Sequence, residues 1–390
     1  MNYLAACDPN AVIVTNGDND TFPLWYVQEV EGFRTDVRVV NYMLSSGYWY
    51  VHQLGKKVYD APPLKFTLTP DQYDKGRNQY IMYVDRGIKG PVEVKELIDF
   101  IASDDERTKL PLNTGEKINY MPVKKLRLTV DSAKCVENGI VPPELAHLIV
   151  PYIEWEIRQS ALYKNDLMLL DFLANNNWER SLYFANPNSL EKTLDIDEYC
   201  HLVGSVYKFM PIKAKDYISG LGGVYADRSY EAFMNEFKWG NLNDPSVTVD
   251  RESYRHARIQ KQNFLRVAQA LLGEGKPNKA AEVLDTCLYY FPHDKIHYDI
   301  IMMPFIEIYY DAGKIERGNE EVVKMTKVCD EELGYFLALD MEFADKIYGQ
   351  EIQQHMAVLQ RMAEVTKEQG QDELSAEVEE VLQKHMMNLR

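Results

Sequence analysis

The sequence predicts an α/β N-terminal domain with a partly parallel sheet, followed by an all-α domain of tetratricopeptide-like helical hairpins. Three observations carry this. Residues 11–42 run as apolar strand, polar loop, helical segment and second apolar strand, which is one βαβ unit and hence part of a parallel sheet. Up to residue 215, short apolar runs keep alternating with Pro, Gly, Asn and Asp clusters. From residue 251 onward the texture is wholly helical. The expected organisation is therefore an α/β domain over 1–215, a connecting segment over 216–250 and a helical domain over 251–390.

Within the first domain, strands are expected at 11–15, 37–40, 64–68, 80–84, 126–130 and 182–185. Pro91 opens a helix whose Val94, Leu97, Ile98 and Ile101 recur at helical spacing. A second helix covers 165–175, with Asn165 as its cap and Leu167, Leu170 and Leu173 on one face. The polar, Pro- and Gly-punctuated stretch 103–122 reads as a surface excursion. In the connecting segment, Gly220, Gly222 and Gly223 lack the spacing of a phosphate-binding fingerprint and read as a flexible joint.

In the helical domain, one 34-residue repeat fits when Pro292 is set as its last position. Ala268 and Ala280 then fall where two helices approach closely, Gly275 lies in the turn, and Leu271, Leu284 and Cys287 take buried places. A second hairpin turns at Ala312-Gly313-Lys314, out of register with the first. The charged closing helices, 350–388, resemble a solvated cap. Arrays of this kind usually bind or dock rather than catalyse.

The first candidate site is the loop after the first strand, because loops at the carboxyl ends of parallel strands line ligand crevices. It gathers Asn16, Asp18, Asn19, Asp20 and Thr21. The structural reading is that Thr21 or Asp20 caps the next helix, with Pro23 in its first turn and Asn16-Gly17 as a turn dipeptide. Capping explains one Asp and the Thr, not the whole cluster. Asn16-x-Asp18-x-Asp20 has the oxygen spacing that opens a calcium loop, yet position six is Thr21 and position twelve is Val27, which excludes an EF-hand. Asp18 and Asp20 stay open as ligands of a simpler Ca or Mg site. Asp18-x-Asp20 is also similar to the aspartate-nucleophile phosphatase loop, but Phe22 stands where those enzymes place Thr or Val. Trp25, Tyr26, Tyr48 and Trp49 neighbour the loop in sequence, and their flat rings could stack on a sugar or simply pack.

Composition excludes several classes. A net charge of −17, from 43 Lys and Arg against 60 Asp and Glu, argues against nucleic acid as a partner. No apolar run approaches the ~18 residues of a membrane span, and Met1-Asn2-Tyr3-Leu4 lacks the basic start of a signal peptide. The first strand follows so closely that the chain reads as cut from a longer protein. Five scattered cysteines form no CxxC and read as small buried hydrophobes. The histidines make no HExxH motif, and neither a GxSxG elbow nor a P-loop occurs. Arg251, Arg255, Arg258 and Lys261 share one face of a helix and are expected to pair with acidic groups of the α/β domain.

Three strings carry a resemblance: NYLAACDPNAVIVTNGDNDTFPLWYVQEVEGFRTDVRVVNYMLSSGYWY, LYKNDLMLLDFLANNNWERSLYFA and FKWGNLNDP. Together they are similar to the soluble C-terminal region of large multi-pass membrane proteins of Bacteroidetes, long known only as a domain of unknown function. That family is related to a vertebrate transmembrane protein O-mannosyltransferase. The resemblance runs over nearly the whole chain. It implies an extramembrane, periplasmic portion of an inner-membrane glycosyltransferase that uses a lipid-phosphate-linked sugar. In such enzymes the catalytic acid lies between N-terminal transmembrane helices, so no residue of this chain is assigned a catalytic role. The implied role is accessory: completing the acceptor or donor cleft, or docking a partner. Expected partners are a protein or glycan acceptor and the N-terminal transmembrane part of the parent protein, with no nucleic acid. The runners-up are an autonomous metal-dependent enzyme acting on a sugar or phosphate through Asp18 and Asp20, and a pure protein-interaction scaffold run by the helices.

Overall fold

The computed structural model describes residues 1–388 apart from 75, 191 and 216. They fall into two compact units, Met1–Ala232 with Glu236–Lys238, and Phe233–Asn235 with Trp239–Arg390. The first is the expected α/β fold and the second is all helical.

The α/β unit is built on a mixed six-stranded sheet of β1 (Val12–Thr15), β2 (Arg38–Asn41), β3 (Leu182–Phe184), β4 (Cys200–Val203), β5 (Val206–Phe209) and β6 (Gly223–Val224), in the order β6-β4-β5-β3-β1-β2. β1 runs parallel to both neighbours, with Val12 opposite Arg38 on one side and Leu182 on the other. The hairpin β4–β5 is antiparallel, and β5 is also antiparallel to β3. All four residues of β1 and of β2 are buried, as expected where strands are covered on both faces. Helix α1 (Asp18–Glu29) connects them and lays Leu24 and Val27 onto Ala11, Ile13, Val37 and Val39. Each such side chain contributes about 1.5–3 kcal/mol by burial. Helix α2 (Tyr48–Leu54) follows β2.

Two three-stranded sheets flank this core. Tyr80–Tyr83 lies between Ala161–Tyr163 and Tyr120–Met121, and Lys125–Thr129 lies between Val92–Glu93 and Tyr152–Glu156. The stretch 103–122 is thus partly ordered pairing: besides Tyr120–Met121 it holds the hairpin of Leu110–Pro111 with Lys117–Ile118. The helix expected from Pro91 begins later, as α3 (Val94–Ala102), because Val92 and Glu93 join a sheet first. Helix α4 (Lys164–Asn176) forms where expected, but its N-cap is Tyr163 and not Asn165, because the Asp166 carboxylate accepts from the Tyr163 N–H at 2.8 Å and starts the helix earlier.

The expected strand at 64–68 does not form. Leu64 and Leu68 are buried, but the Thr67 and Leu68 N–H groups donate to the Asp171 carboxylate at 2.7 and 3.1 Å instead of to a ladder. A buried side chain from α4 replaces a strand partner, which periodicity cannot reveal. Within 216–250, Gly223–Val224 pairs with β4. A Cβ on Gly222 would lie 2.2 Å from the Cys200 carbonyl oxygen, and φ there is +63°, so this glycine permits a close backbone approach.

The helical unit comprises α5 (Arg251–Gly273), α6 (Pro277–Tyr290), α7 (Met302–Asp311), α8 (Ile315–Leu337), α9 (Met341–Glu368) and α10 (Asp372–Asn388). Asp250 caps α5 by accepting from Glu252 and Ser253 N–H. Gly275, at φ +75°, turns α5 into α6, where Pro277 occupies the first turn. Ala268, Ala280, Leu271, Leu284 and Cys287 are all fully buried, as the repeat register requires. The closing pair is not only a solvated cap, since Leu359, Met362 and Val378 are fully buried. The five cysteines are free and buried.

Candidate aromatic cleft beside the edge strand

Local chemistry fixes the loop after β1. The helix starts five residues before Pro23, with Gly17 as its N-cap and Asp20 in the third helical position. The Asp20 carboxylate accepts from the Asn16 N–H at 2.7 Å and the Gly17 N–H at 2.8 Å, satisfying donors that the helix start leaves free. Pro23 therefore sits inside the helix, not at its start; the carbonyl it cannot serve belongs to exposed Asn19, where water can reach. Thr21 is fully buried, and its hydroxyl bonds the Gly17 carbonyl at 2.5 Å and the Thr15 hydroxyl at 2.6 Å.

Asn41, the last residue of β2, ties this loop to the next. Its side-chain amide donates to the Thr21 hydroxyl at 3.0 Å and accepts from Leu44 N–H at 2.9 Å, while its own N–H donates to the Tyr50 hydroxyl at 2.9 Å. Burial lifts the Tyr50 phenol above its ordinary range. The two loops at the carboxyl ends of β1 and β2 are thus one hydrogen-bonded platform. Asn16, Asp18 and Asn19 stand exposed on it.

Beside the platform, along β2 at the sheet edge, runs a cleft of about 350 Å³. Helix α1 supplies Phe22, Trp25, Gln28 and Glu29; α2 supplies Trp49, Tyr50 and Gln53; the strand supplies Arg38 and Val39. Phe22 and Trp25 stack at 5.5 Å between centroids with 26° between planes, and Trp49 meets Tyr50 edge-on at 5.5 Å. Phe22 is 48 % and Trp49 53 % exposed, so wide aromatic faces are open to a ligand. A Cβ on Gly47 would lie 2.9 Å from the Trp49 indole nitrogen; glycine there lets the indole rest over the loop.

The polar lining is held in place. Gln28 donates to the Arg34 and Val37 carbonyls, both at 2.8 Å, and the Tyr59 hydroxyl donates to Glu29. That bond raises the Tyr59 phenol above its ordinary range. Arg38 is buried, and its guanidinium donates to the Gln53 carbonyl at 2.7 Å and the Lys56 carbonyl at 3.1 Å. Burial pulls it below its ordinary range.

A family model described as TMEM260-associated domain 2 matches residues 1–227. The chain belongs to this family. The match takes in the strings 2–50 and 162–185 that carried the resemblance and ends before the long helices. Membership is compatible with an accessory domain of a membrane protein; among the described residues, no helix is long and apolar enough to cross a membrane. No curated protein and no solved structure matches this TMEM260-associated chain.

Of the residues singled out in the sequence of this TMEM260-associated domain, Trp25 and Trp49 line the cleft. Asn16, Asp18, Asn19, Asp20, Thr21, Tyr26 and Tyr48 do not, although Asn16, Asp18, Asn19, Tyr26 and Tyr48 are exposed nearby. Both Asp20 oxygens serve backbone donors, and among the described residues no cluster of three or more His, Cys, Asp or Glu side chains suited to a metal occurs. Sequence reading missed Phe22, Gln28, Glu29, Arg38, Tyr50 and Gln53. The signal was present: 22, 25, 28 and 29 share one helical face, as do 49, 50 and 53.

Proposed function

We propose that this chain is a non-catalytic accessory domain of a membrane glycosyltransferase that uses a lipid-phosphate-linked sugar, and that its aromatic cleft holds the glycan of an acceptor. The observation that carries this reading is the pair of exposed rings, Phe22 stacked on Trp25 and Trp49 backed edge-on by buried Tyr50, flanking a cleft with amide and carboxylate groups. Sugars present apolar C–H faces ringed by hydroxyls. Rings that are half exposed yet backed by packing stack on such faces, and Gln53 and Glu29 are placed to meet hydroxyls. Asn16, Asp18 and Asn19, on the adjoining platform, would contact the part of the acceptor that leaves the cleft. The periplasmic face of the inner membrane is the location this role requires.

The test is glycosyl transfer by the full-length parent protein carrying Trp25→Ala and Trp49→Ala. The glycan reading expects KM for the acceptor to rise roughly tenfold with kcat kept, since only substrate binding is lost. Unchanged KM with both rings removed contradicts it.

A further inference from the structure

A separate cleft of about 370 Å³ lies within the helical unit, between α5 and the segment leading into α7. The cationic stripe of α5 leads to it. Arg255 and Arg258 stay at the surface and pair with Glu252 and Asp299, so their recorded partners lie within the helical unit and not in the α/β domain. Lys261 instead turns inward. It is 2 % exposed, lines the cleft, and its Nζ has no hydrogen-bond partner among the described residues. What the ammonium has is the face of Tyr298, 4.8 Å from the ring centre.

A buried ammonium carries three donors and normally finds acceptors for them. The carboxylates in the neighbourhood are spent on other donors. Asp299 holds Arg258 at 2.6 Å and accepts from Ile301 N–H at 3.0 Å. Glu321 accepts from the Tyr298 hydroxyl at 2.7 Å and from Lys324 at 2.8 Å. Burial holds the Lys261 ammonium below its ordinary range, with Asp299 and Glu321 only partly offsetting it. Beside this orphaned donor the cleft has apolar walls, from Ile300, Ile301 and Pro304.

We propose that this cleft binds an organic oxyanion, a carboxylate or phosphate ester on a short apolar stem, with Lys261 Nζ as its principal donor and Arg258 at its mouth. The missing acceptor is the ligand's oxygen, and the apolar walls take the stem. The inference is independent of the glycan reading, which concerns the other unit.

The test titrates the whole chain with hexanoate and with hexyl phosphate by calorimetry, against sodium chloride at matched ionic strength. At least one organic anion is expected to bind, and the tighter of the two identifies the head group. Lys261→Met, which keeps length and loses charge, should weaken that binding roughly tenfold or more, the scale of one charge-assisted hydrogen bond. Asp299→Asn, which releases Arg258, should tighten it. Should Lys261→Met fail to fold, exposed Arg258→Gln replaces it and should weaken binding about threefold. The proposal is overturned if neither anion binds the folded wild type beyond the chloride control. It is equally overturned if affinity is unchanged in the charge-removing variant.

Discussion

The two clefts are nearly equal in volume, about 350 and 370 Å³, and each has a buried cation in its wall, yet they treat that cation oppositely. Arg38, beside the aromatic cleft, spends its guanidinium on two backbone carbonyls, whereas Lys261, in the helical cleft, leaves its ammonium unserved. Arg38 is therefore part of the scaffold that pins α2 to the edge strand, and the open aromatic rings are what its cleft offers a ligand. In the helical cleft the charge itself is the offer. Size alone would not have separated them; hydrogen-bond accounting does.

The largest test of this contrast is on stability. Arg38→Met should destabilise the α/β unit by about 2 kcal/mol, because the Gln53 and Lys56 carbonyls lose the charged donor that ties them to the edge strand. Lys261→Met should leave stability unchanged or raise it by about 1 kcal/mol, since it removes a buried charge without a partner. Denaturant melts of the two variants check this, and equal losses would erase the distinction.

A smaller effect separates the two aspartates of the loop. Asp20→Ala should cost about 1–2 kcal/mol through the two backbone donors it releases. Asp18→Ala, at an exposed side chain, should stay within about 0.5 kcal/mol. A thermal melt that ranks Asp18 above Asp20 would mean that the loop's acidic groups act otherwise than described.

The smallest effect is in pH. Burial lowers the folded-state pKa of Lys261 below that of the unfolded chain, so the folded protein releases this proton first as pH rises. Between the two values the unfolded state holds more protons, and stability rises with pH. Any stability advantage of Lys261→Met over wild type should therefore be full below the folded pKa and shrink as pH climbs toward the ~10.4 of an unfolded lysine. An advantage that grows with pH contradicts the assigned burial.

The same contrast explains what was legible in the sequence. The βαβ unit was readable because β-branched runs and helical spacing are local, and the repeat was readable because Ala268, Gly275 and Ala280 mark positions that only small residues suit. The strand expected at 64–68 was not, because Asp171, a hundred residues away, takes its backbone donors. The start of α1 was misplaced because Pro23 was given the first turn, when Asp20 could serve Asn16 and Gly17 from within the helix. The loop drew attention by its polarity, but Asp20 and Thr21 are occupied in holding it. The cleft escaped notice because its rings come from two helices with a strand between them. Lys261 looked like one more member of a surface stripe, and only the fold turns it inward.

The central claim is that the open rings beside β2 bind a glycan. Its most direct test is tryptophan fluorescence and calorimetry of the chain titrated with a panel of free oligosaccharides, in wild type and in Trp49→Ala. The account predicts saturable quenching by at least one saccharide, weakened roughly tenfold or more in Trp49→Ala, with the melting temperature almost unmoved because this side chain is half exposed. Saccharide binding that persists unchanged in Trp49→Ala and Trp25→Ala, or a panel in which nothing binds, would contradict it.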